Sequence, residues 1–163
     1  MLVGKERHDI GRPNDWGYPV RAIRTTEYLY VHNFHPERWP AGNPETDFGN
    51  CDPGPTKEVV KRLGGYFYDL SFGKRLPDEL YDIRRDPECV VNLANDLFYS
   101  QTVAELRSKM MAMLKGDGDP RAVGNAAVFD TYRYVGNRDK GYDAWLREQQ
   151  APPEEVMRAL ERR

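Results

Sequence analysis

The sequence has no long apolar run. No stretch approaches the roughly 18 apolar residues expected of a membrane-spanning helix. The first residues, MLVGKERHD, also lack the apolar core of a signal peptide. The sequence therefore predicts neither a membrane span nor an export signal within these residues.

The chain also has few cysteines and no excess of either positive or negative charge. Cys51 and Cys89 could form one disulfide, but they define neither a disulfide framework nor a zinc site, and they leave the redox compartment open. Lysine and arginine total 24 against 26 acidic residues, a formal net charge of −2, without a long block of either sign. This balance argues against a dedicated nucleic-acid-binding protein, which normally carries a concentrated basic face. The 163 residues are enough for one domain with its own core.

The first half of the chain alternates strand-forming and loop-forming stretches. Residues 20–34 are rich in β-branched and aromatic residues on both sides of a polar Thr26-Glu27 break, which predicts a β-hairpin. Residues 35–55 contain eight prolines and glycines, which predicts a long loop. Residues 57–63 are predicted as a short helix that Thr56 caps and Gly64-Gly65 ends, with an inward face listed as Val59, Val60 and Leu63.

The second half is dominated by one amphipathic helix, and residues 79–83 precede it as a predicted strand. Between residues 96 and 115, apolar side chains recur every three or four positions, at Val103, Leu106, Met110 and Met113, with Leu114 beside them. Residues 128–134 predict a further strand, and residues 154–162 predict a terminal helix after two prolines. The predicted fold class is α+β: a small antiparallel sheet of about four strands packed against the 96–115 helix.

The stretch from residue 79 to residue 94, ELYDIRRDPECVVNLA, joins a strand, an Asp-Pro turn and the lead into a helix. It resembles the C-terminal signature of type I sulfatases, in which an ELYDL-like strand is followed by a basic residue, Asp-Pro, and a short spacer to Asn-Leu-Ala. Residues 79–82, Asp86, Pro87 and 92–94 match that spacing. In physical terms Asp86 accepts local backbone hydrogen bonds and Pro87 fixes φ, so both predict a turn.

Other segments resemble the subgroup related to heparan N-sulfatases. They are GKERHD, YPVRAIRTTEYLYVHNF, HPERWPAGNPE and DGDPRAVGNAAVFDTY, so the resemblance covers roughly residues 3 to 135. It implies a sulfatase C-terminal subdomain over residues 1–135 and a C-terminal extension over 136–163. Because the match begins inside a family motif, we expect Met1 to mark an internal or truncated start.

The resemblance does not extend to a catalytic centre. Sulfatases attack with a formylglycine made from Cys or Ser in a CxPxR motif, and Cys51 in CDPGP has Pro55 where that motif needs Arg, so we interpret Cys51 as a loop cysteine. The resemblance implies that formylglycine and calcium belong to a separate catalytic domain, the expected partner of this chain, and that this chain holds no cofactor and is inactive alone. In the complete enzyme the expected reaction is hydrolysis of a sulfate ester or sulfamate on a saccharide such as a glycosaminoglycan. Sulfatases of bacterial type are often exported, and the location of this one stays open.

Lys5, Arg7 and His8 are the candidate substrate-binding residues. They place three hydrogen-bond donors on a loop that starts with glycine, which suits anionic oxygen atoms. In relatives that this chain resembles, the corresponding loop reaches over the rim of the sulfate pocket. The resemblance therefore implies that Arg7 and His8 help to recognise the sugar or its sulfate, with Lys5 beside them. The alternative is a solvated, charged N-terminal segment.

Three further residues have two interpretations each. His32 and His35 are close enough in sequence to share a metal ion, but no further ligand is evident, and hydrogen-bonded structural histidines are the alternative. Trp39, in a proline-rich loop, either stacks on a sugar ring or anchors its loop.

Two other functions stay open from the sequence. One is a stand-alone module that binds sulfated glycans through the Trp39 loop and the basic N-terminal loop, without chemistry. The other is an inactive truncated fragment, which predicts an exposed apolar face and self-association through it.

Overall fold

The structure is a computed structural model that describes residues 1–136 and 141–150. Its centre is one antiparallel sheet in which four strands lie side by side in chain order. The strands are β1 (Leu2–Lys5), β2 (Val20–Arg24), β3 (Tyr28–Asn33) and β4 (Asp78–Asp82).

The described residues also form five α-helices. They are α1 (Pro55–Leu63), α2 (Gly65–Phe72), α3 (Ser100–Gly116), α4 (Val128–Thr131) and α5 (Tyr142–Gln150). The long α3 packs against β2 and β3. The protein is therefore an α+β domain with a four-stranded antiparallel sheet and a long covering helix, which confirms the predicted fold class. No helix within the described ranges is long and apolar enough to cross a membrane.

The two faces of the sheet have different surroundings, because successive side chains of a strand point to opposite faces. One row across the sheet aligns Leu2, Ile23, Tyr30 and Leu80. We call the face that carries this row the helix-covered face, since its side chains form the main core with α3 residues such as Met110. The neighbouring row, Val3, Ala22, Val31 and Glu79, lies on the opposite face, which we call the second face.

The loop between β3 and α1 is held by a separate aromatic cluster. Phe48 is 4% exposed and stacks on Phe72 of α2 with ring centroids 4.6 Å apart. The buried ammonium of Lys57 donates to the carbonyls of Phe48 (3.3 Å) and Cys51 (2.9 Å). These contacts fix a segment rich in proline and glycine, which contains a 3₁₀ helix at Pro44–Thr46 but no strand or α-helix.

Four of the predicted elements are confirmed. The hairpin forms as β2 and β3, the strand at 79–83 forms as β4 one residue earlier, and the short helix forms as α1. The helix at 96–115 forms as α3, preceded by a single 3₁₀ turn at Leu97–Tyr99 in which the Asp96 carboxylate accepts a hydrogen bond from the Phe98 N–H (2.9 Å).

The predicted strand at 128–134 is wrong. Residues 128–131 form α4, whose turn is closed by hydrogen bonds from Val128, Phe129 and Asp130 to the carbonyls three residues before them. The Phe129 ring lies against two arginine side chains, so its aromatic character serves a contact outside the sheet. The sheet still has four strands, because β1 takes the place of the predicted one. β1 includes the first two residues of GKERHD.

Several details of the helices are also wrong. The predicted inward face of α1 is wrong, because the side chains of Val59 and Leu63 are 41% and 70% exposed. α1 begins at Pro55 after Gly54, so Thr56 is not its cap, and proline at the first position suits a helix start. Gly64 and Gly65, both at positive φ, turn the chain directly into α2, which the sequence did not predict.

Met113 is the exception on α3, with 41% of its surface exposed, whereas Met110 and Leu114 face the core. The predicted helix at 154–162 lies outside the described residues.

Candidate functional site

The segment GKERHD runs from the end of β1 into the loop that follows it. Gly4 pairs with Arg21 in the sheet, and a Cβ at Gly4 would lie 2.7 Å from the Arg21 Cδ atom. Glycine at this position therefore lets the Arg21 side chain cross β1 and reach the next residues of the segment.

Glu6 belongs to a buried cluster of ion pairs, which we call the Glu6 ion cluster and define as Glu6, Arg21, Asp119 and Arg121. One Glu6 oxygen lies 2.7 Å from Arg21 Nη2, and the other lies 2.8 Å from Arg121 Nη2. Arg21 Nε also donates to Asp119 at 2.8 Å. The arginine side chains are 8% and 2% exposed, and both guanidinium groups lie over the Phe129 ring. The cluster fastens the N-terminal segment to residues 119–129.

Arg7 strengthens the same attachment. Its guanidinium donates to the backbone carbonyls of Asp15 (3.1 Å) and Tyr132 (2.9 Å) and lies 5.6 Å from the centre of the Tyr134 ring. Two of its five N–H donors are thus used within the protein. The structure therefore gives Arg7 a positioning role in addition to any role in binding.

Lys5 and His8 are less engaged than Arg7. Both residues have exposed surface, and neither side chain makes a hydrogen bond or ion pair within the part of the chain that the structure describes. Partial burial of the ammonium group, together with the nearby positive charge of Arg12, lowers the pKa of Lys5. The three predicted residues thus have different surroundings: Lys5 borders the second face, Arg7 binds carbonyls, and His8 lies at the surface.

His32 and His35 each bind a carboxylate of this chain. His32 Nδ1 lies 2.9 Å from Asp78, which also accepts from the Tyr30 hydroxyl at 2.5 Å. Burial by itself would raise the pKa of Asp78, but the hydrogen bonds from Tyr30 and His32 and the charge of Arg107 outweigh it and lower the pKa. His35 Nδ1 lies 2.8 Å from Glu37. Both histidines are therefore hydrogen-bonded within the protein, which is the alternative to metal binding that the sequence analysis left open.

No group of three or more His, Cys, Asp or Glu side chains within residues 1–136 and 141–150 is arranged to hold a metal ion. Cys51 and Cys89 are free, half-buried thiols.

Trp39 anchors its loop. Its ring meets Phe48 edge-on with centroids 6.2 Å apart, and the Lys74 ammonium lies 5.2 Å from its centre. Its carbonyl accepts a 2.6 Å hydrogen bond from Arg12. The anchoring interpretation of this residue is confirmed.

The residues of the 79–94 signature form most of β4 and the turn that leads from it towards α3. The Asp86 carboxylate accepts hydrogen bonds from the backbone N–H groups of Val90 (2.9 Å) and Val91 (2.8 Å), which confirms its predicted role. The Asn92 side-chain oxygen accepts from Leu80 N and Ala94 N, both at 2.9 Å. Asn92 thus ties the turn back to β4 and sets the direction in which the chain enters α3.

A cavity of about 680 Å³ lies on the second face of the sheet, and it was not predicted from the sequence. Its apolar wall comes from Val3, Ala22 and Val31, and α2 and the loops around residues 41 and 89 close its sides. Glu79 lines it as a buried carboxylate that accepts hydrogen bonds from Asn33 Nδ2 (2.6 Å) and the Tyr81 hydroxyl. The lining groups come from eight separate stretches of chain that meet only after folding, so no local motif signals them.

Comparison with known proteins identifies no relative: no family model matches this chain, and no curated protein matches it.

Proposed function

We propose that this chain is the C-terminal, non-catalytic portion of a sulfatase-like hydrolase that acts on a sulfated saccharide in the full-length enzyme. The observation that carries the proposal is the signature at residues 79–94, whose Asp86 and Asn92 form the turn between β4 and α3. The order of strand, turn and helix in this segment agrees with the order that the resemblance to type I sulfatases implies.

The geometry of GKERHD supports a role at the rim of a substrate pocket. The Glu6 ion cluster and Arg7 hold the segment against the domain, while the donors of Lys5 and His8 stay without partners among the described residues. A segment that is already fixed loses little conformational freedom when it binds a ligand. Charged donors of this kind suit sulfate oxygen atoms.

The chemistry itself belongs to the catalytic domain. Hydrolysis of a sulfate ester or sulfamate needs the formylglycine nucleophile and the calcium ion of that domain, and the chain's own residues would orient the saccharide. An apolar surface at the junction of α1 and α2 offers a place for that domain to pack. We call it the α1–α2 surface and define it as Val59, Leu63, Tyr66 and Phe67, which are 41–70% exposed.

The proposal is tested on the protein encoded by the complete reading frame that contains this chain. We expect that protein to carry a CxPxR motif and to release sulfate from heparan-type oligosaccharides. His8→Ala should raise KM by about tenfold, since a hydrogen bond to a charged group contributes about 1.5–3 kcal/mol. The matched control His35→Ala, whose imidazole binds Glu37, should leave KM unchanged. A reading frame without a sulfatase domain, or a protein that releases no sulfate, would overturn the proposal.

A further inference from the structure

We propose that the cavity on the second face is a binding site for a small hydroxylated carboxylic acid, such as a sugar acid, and that Tyr18, Asn50 and Lys5 recognise it. The site shares Lys5 with the segment proposed to bind sulfate, but it does not include Arg7 or His8, and its ligand needs no sulfate. The inference therefore stands whether or not the proposed sulfatase function does.

Tyr18 supplies an unused hydrogen-bond donor. The residue is 3% exposed and lines the cavity, and its hydroxyl has no hydrogen-bond partner within the described part of the chain. Burial, followed by the nearby negative charge of Glu79, raises the pKa of this hydroxyl, so it stays protonated at neutral pH. A buried donor of this kind is destabilising until an acceptor reaches it. A carboxylate or hydroxyl oxygen of a ligand would serve as that acceptor.

Asn50 supplies the complementary acceptor. Its Nδ2 donates to the Asp9 carbonyl at 2.8 Å, which fixes the amide, while its Oδ1 is buried without a partner in the described residues. A Cβ at Gly42 would lie 3.2 Å from this oxygen, and one at Gly11 would lie 3.3 Å from it. Glycine at both positions keeps side-chain carbon away from Oδ1. Asn50 lines the cavity, so this oxygen is the acceptor that a ligand hydroxyl would use there.

The charges around the cavity favour an anion. The Lys5 ammonium has no carboxylate partner among the described residues, and Arg12, which lies near it, donates only to the carbonyls of Trp16, Trp39 and Pro40. The Arg12 guanidinium is 2% exposed, so its charge is weakly screened.

Two acidic residues and a further cation, Arg75, also line the cavity. Glu79 keeps its negative charge, because its hydrogen bonds come from the neutral side chains of Asn33 and Tyr81, and the charge of Arg75 opposes it at Tyr18. Glu88 is an exposed residue whose charge is screened by water. The cations at and near the cavity, Lys5, Arg12 and Arg75, therefore outnumber its one buried carboxylate.

The size of the cavity fits the same class of ligand. A volume of about 680 Å³ lies within the range of small-molecule sites, roughly 300–1,000 Å³, and accommodates a monosaccharide acid. The apolar wall of Val3, Ala22 and Val31 can pack against the C–H groups of a sugar ring. A polar group at each of three points and an apolar wall between them is the usual composition of such a site.

The test is calorimetric titration of the whole chain with glucuronate, with glucose, and with inorganic sulfate. We expect glucuronate to bind, glucose to bind at least tenfold more weakly because it lacks the carboxylate, and sulfate to show no saturable binding. Tyr18→Phe should weaken glucuronate binding five- to tenfold without loss of fold, because the missing hydroxyl has no partner in the protein. Tyr134→Phe, a change of the same kind outside the cavity, should leave the affinity unchanged.

Three results would overturn the inference: no binding of glucuronate, equal binding of glucose and glucuronate, or unchanged affinity in Tyr18→Phe. His8→Ala separates this inference from the proposed function. It should leave glucuronate binding intact, whereas it raises KM for the sulfated oligosaccharide if the proposed function holds.

Discussion

At the scale of single residues, Glu6 lies between two arginines that come from different parts of the chain. Arg21 belongs to β2, and Arg121 follows 115 residues after Glu6. Removing one partner of a buried ion pair leaves the others without compensation, which costs more than the pair contributes when intact. Glu6 is therefore a structural residue inside a segment that the sequence predicted for binding.

We expect Glu6→Gln to lower the free energy of unfolding by about 2–3 kcal/mol, somewhat less than for a fully buried pair because the Glu6 side chain is 20% exposed. Urea unfolding of the variant and the wild type gives this difference. Glu27→Gln is the matched control. Its pair with Arg84 has side chains 54% and 65% exposed and should contribute less than about 1 kcal/mol. Equal losses in the two variants would contradict the structural role of the cluster.

The sequence separation between a residue and its partners also determines whether its role can be predicted from the sequence. The role of Asp86 was predictable because its partners, Val90 and Val91, lie within five residues of it. The role of Glu6 was not, because GKERHD and DGDPR each contain both acidic and basic residues and no spacing shows which of them pair. Tyr18 and Asn50 were missed for the same reason, since only the folded sheet and loops place them on one cavity.

At the scale of elements, α3 shows how far periodicity determines burial. Met110 and Met113 are both apolar positions of the same predicted face, yet Met110 is fully buried and Met113 is 41% exposed. An apolar stripe predicts the direction of a helix face, but its width depends on the surface it meets. Here that surface is the row of Ile23, Tyr30 and Leu80, and it reaches Met110 but leaves Met113 at the edge.

Substitution of the two methionines measures this difference. Met110→Ala should lower the free energy of unfolding by about 2–5 kcal/mol, because it removes buried methylene groups and leaves a cavity. Met113→Ala, the same chemical change three residues away, should cost less than about 1 kcal/mol. Urea or thermal unfolding of both variants provides the comparison. A larger loss for Met113→Ala would mean that α3 is rotated relative to the sheet.

The hairpin, β4 and α3 were predictable because their signals lie within the element itself. β1 was not, because a strand of four residues next to a charged loop is recognised only by its pairing with β2. The predicted strand at 128–134 failed for the opposite reason. Its aromatic residues have strand propensity, but local turns and the contact of Phe129 with Arg21 and Arg121 prevail.

At the scale of the whole molecule, apolar side chains fill the inside of the domain and also cluster at the surface where α1 meets α2. The main core is closed by α3, and the aromatic cluster around Phe48 closes a second one. The α1–α2 surface is different, since Leu63, Tyr66 and Phe67 follow one another closely and are each more than half exposed. Clustered exposure of large apolar residues is typical of surfaces that contact another protein.

If the α1–α2 surface packs on a catalytic domain in the full-length enzyme, the chain without that domain should self-associate through it. We expect the double variant Tyr66→Ser/Phe67→Ser to weaken self-association by at least about tenfold, because an aromatic residue at the centre of an interface commonly contributes more than 1 kcal/mol. Leu97→Ser, at a site that is 89% exposed but lies before α3, is the control and should leave self-association unchanged. Sedimentation velocity over a range of concentrations measures both variants. Unchanged self-association in the double variant would mean that another surface mediates it. That result would contradict the assignment of the α1–α2 surface as the docking face.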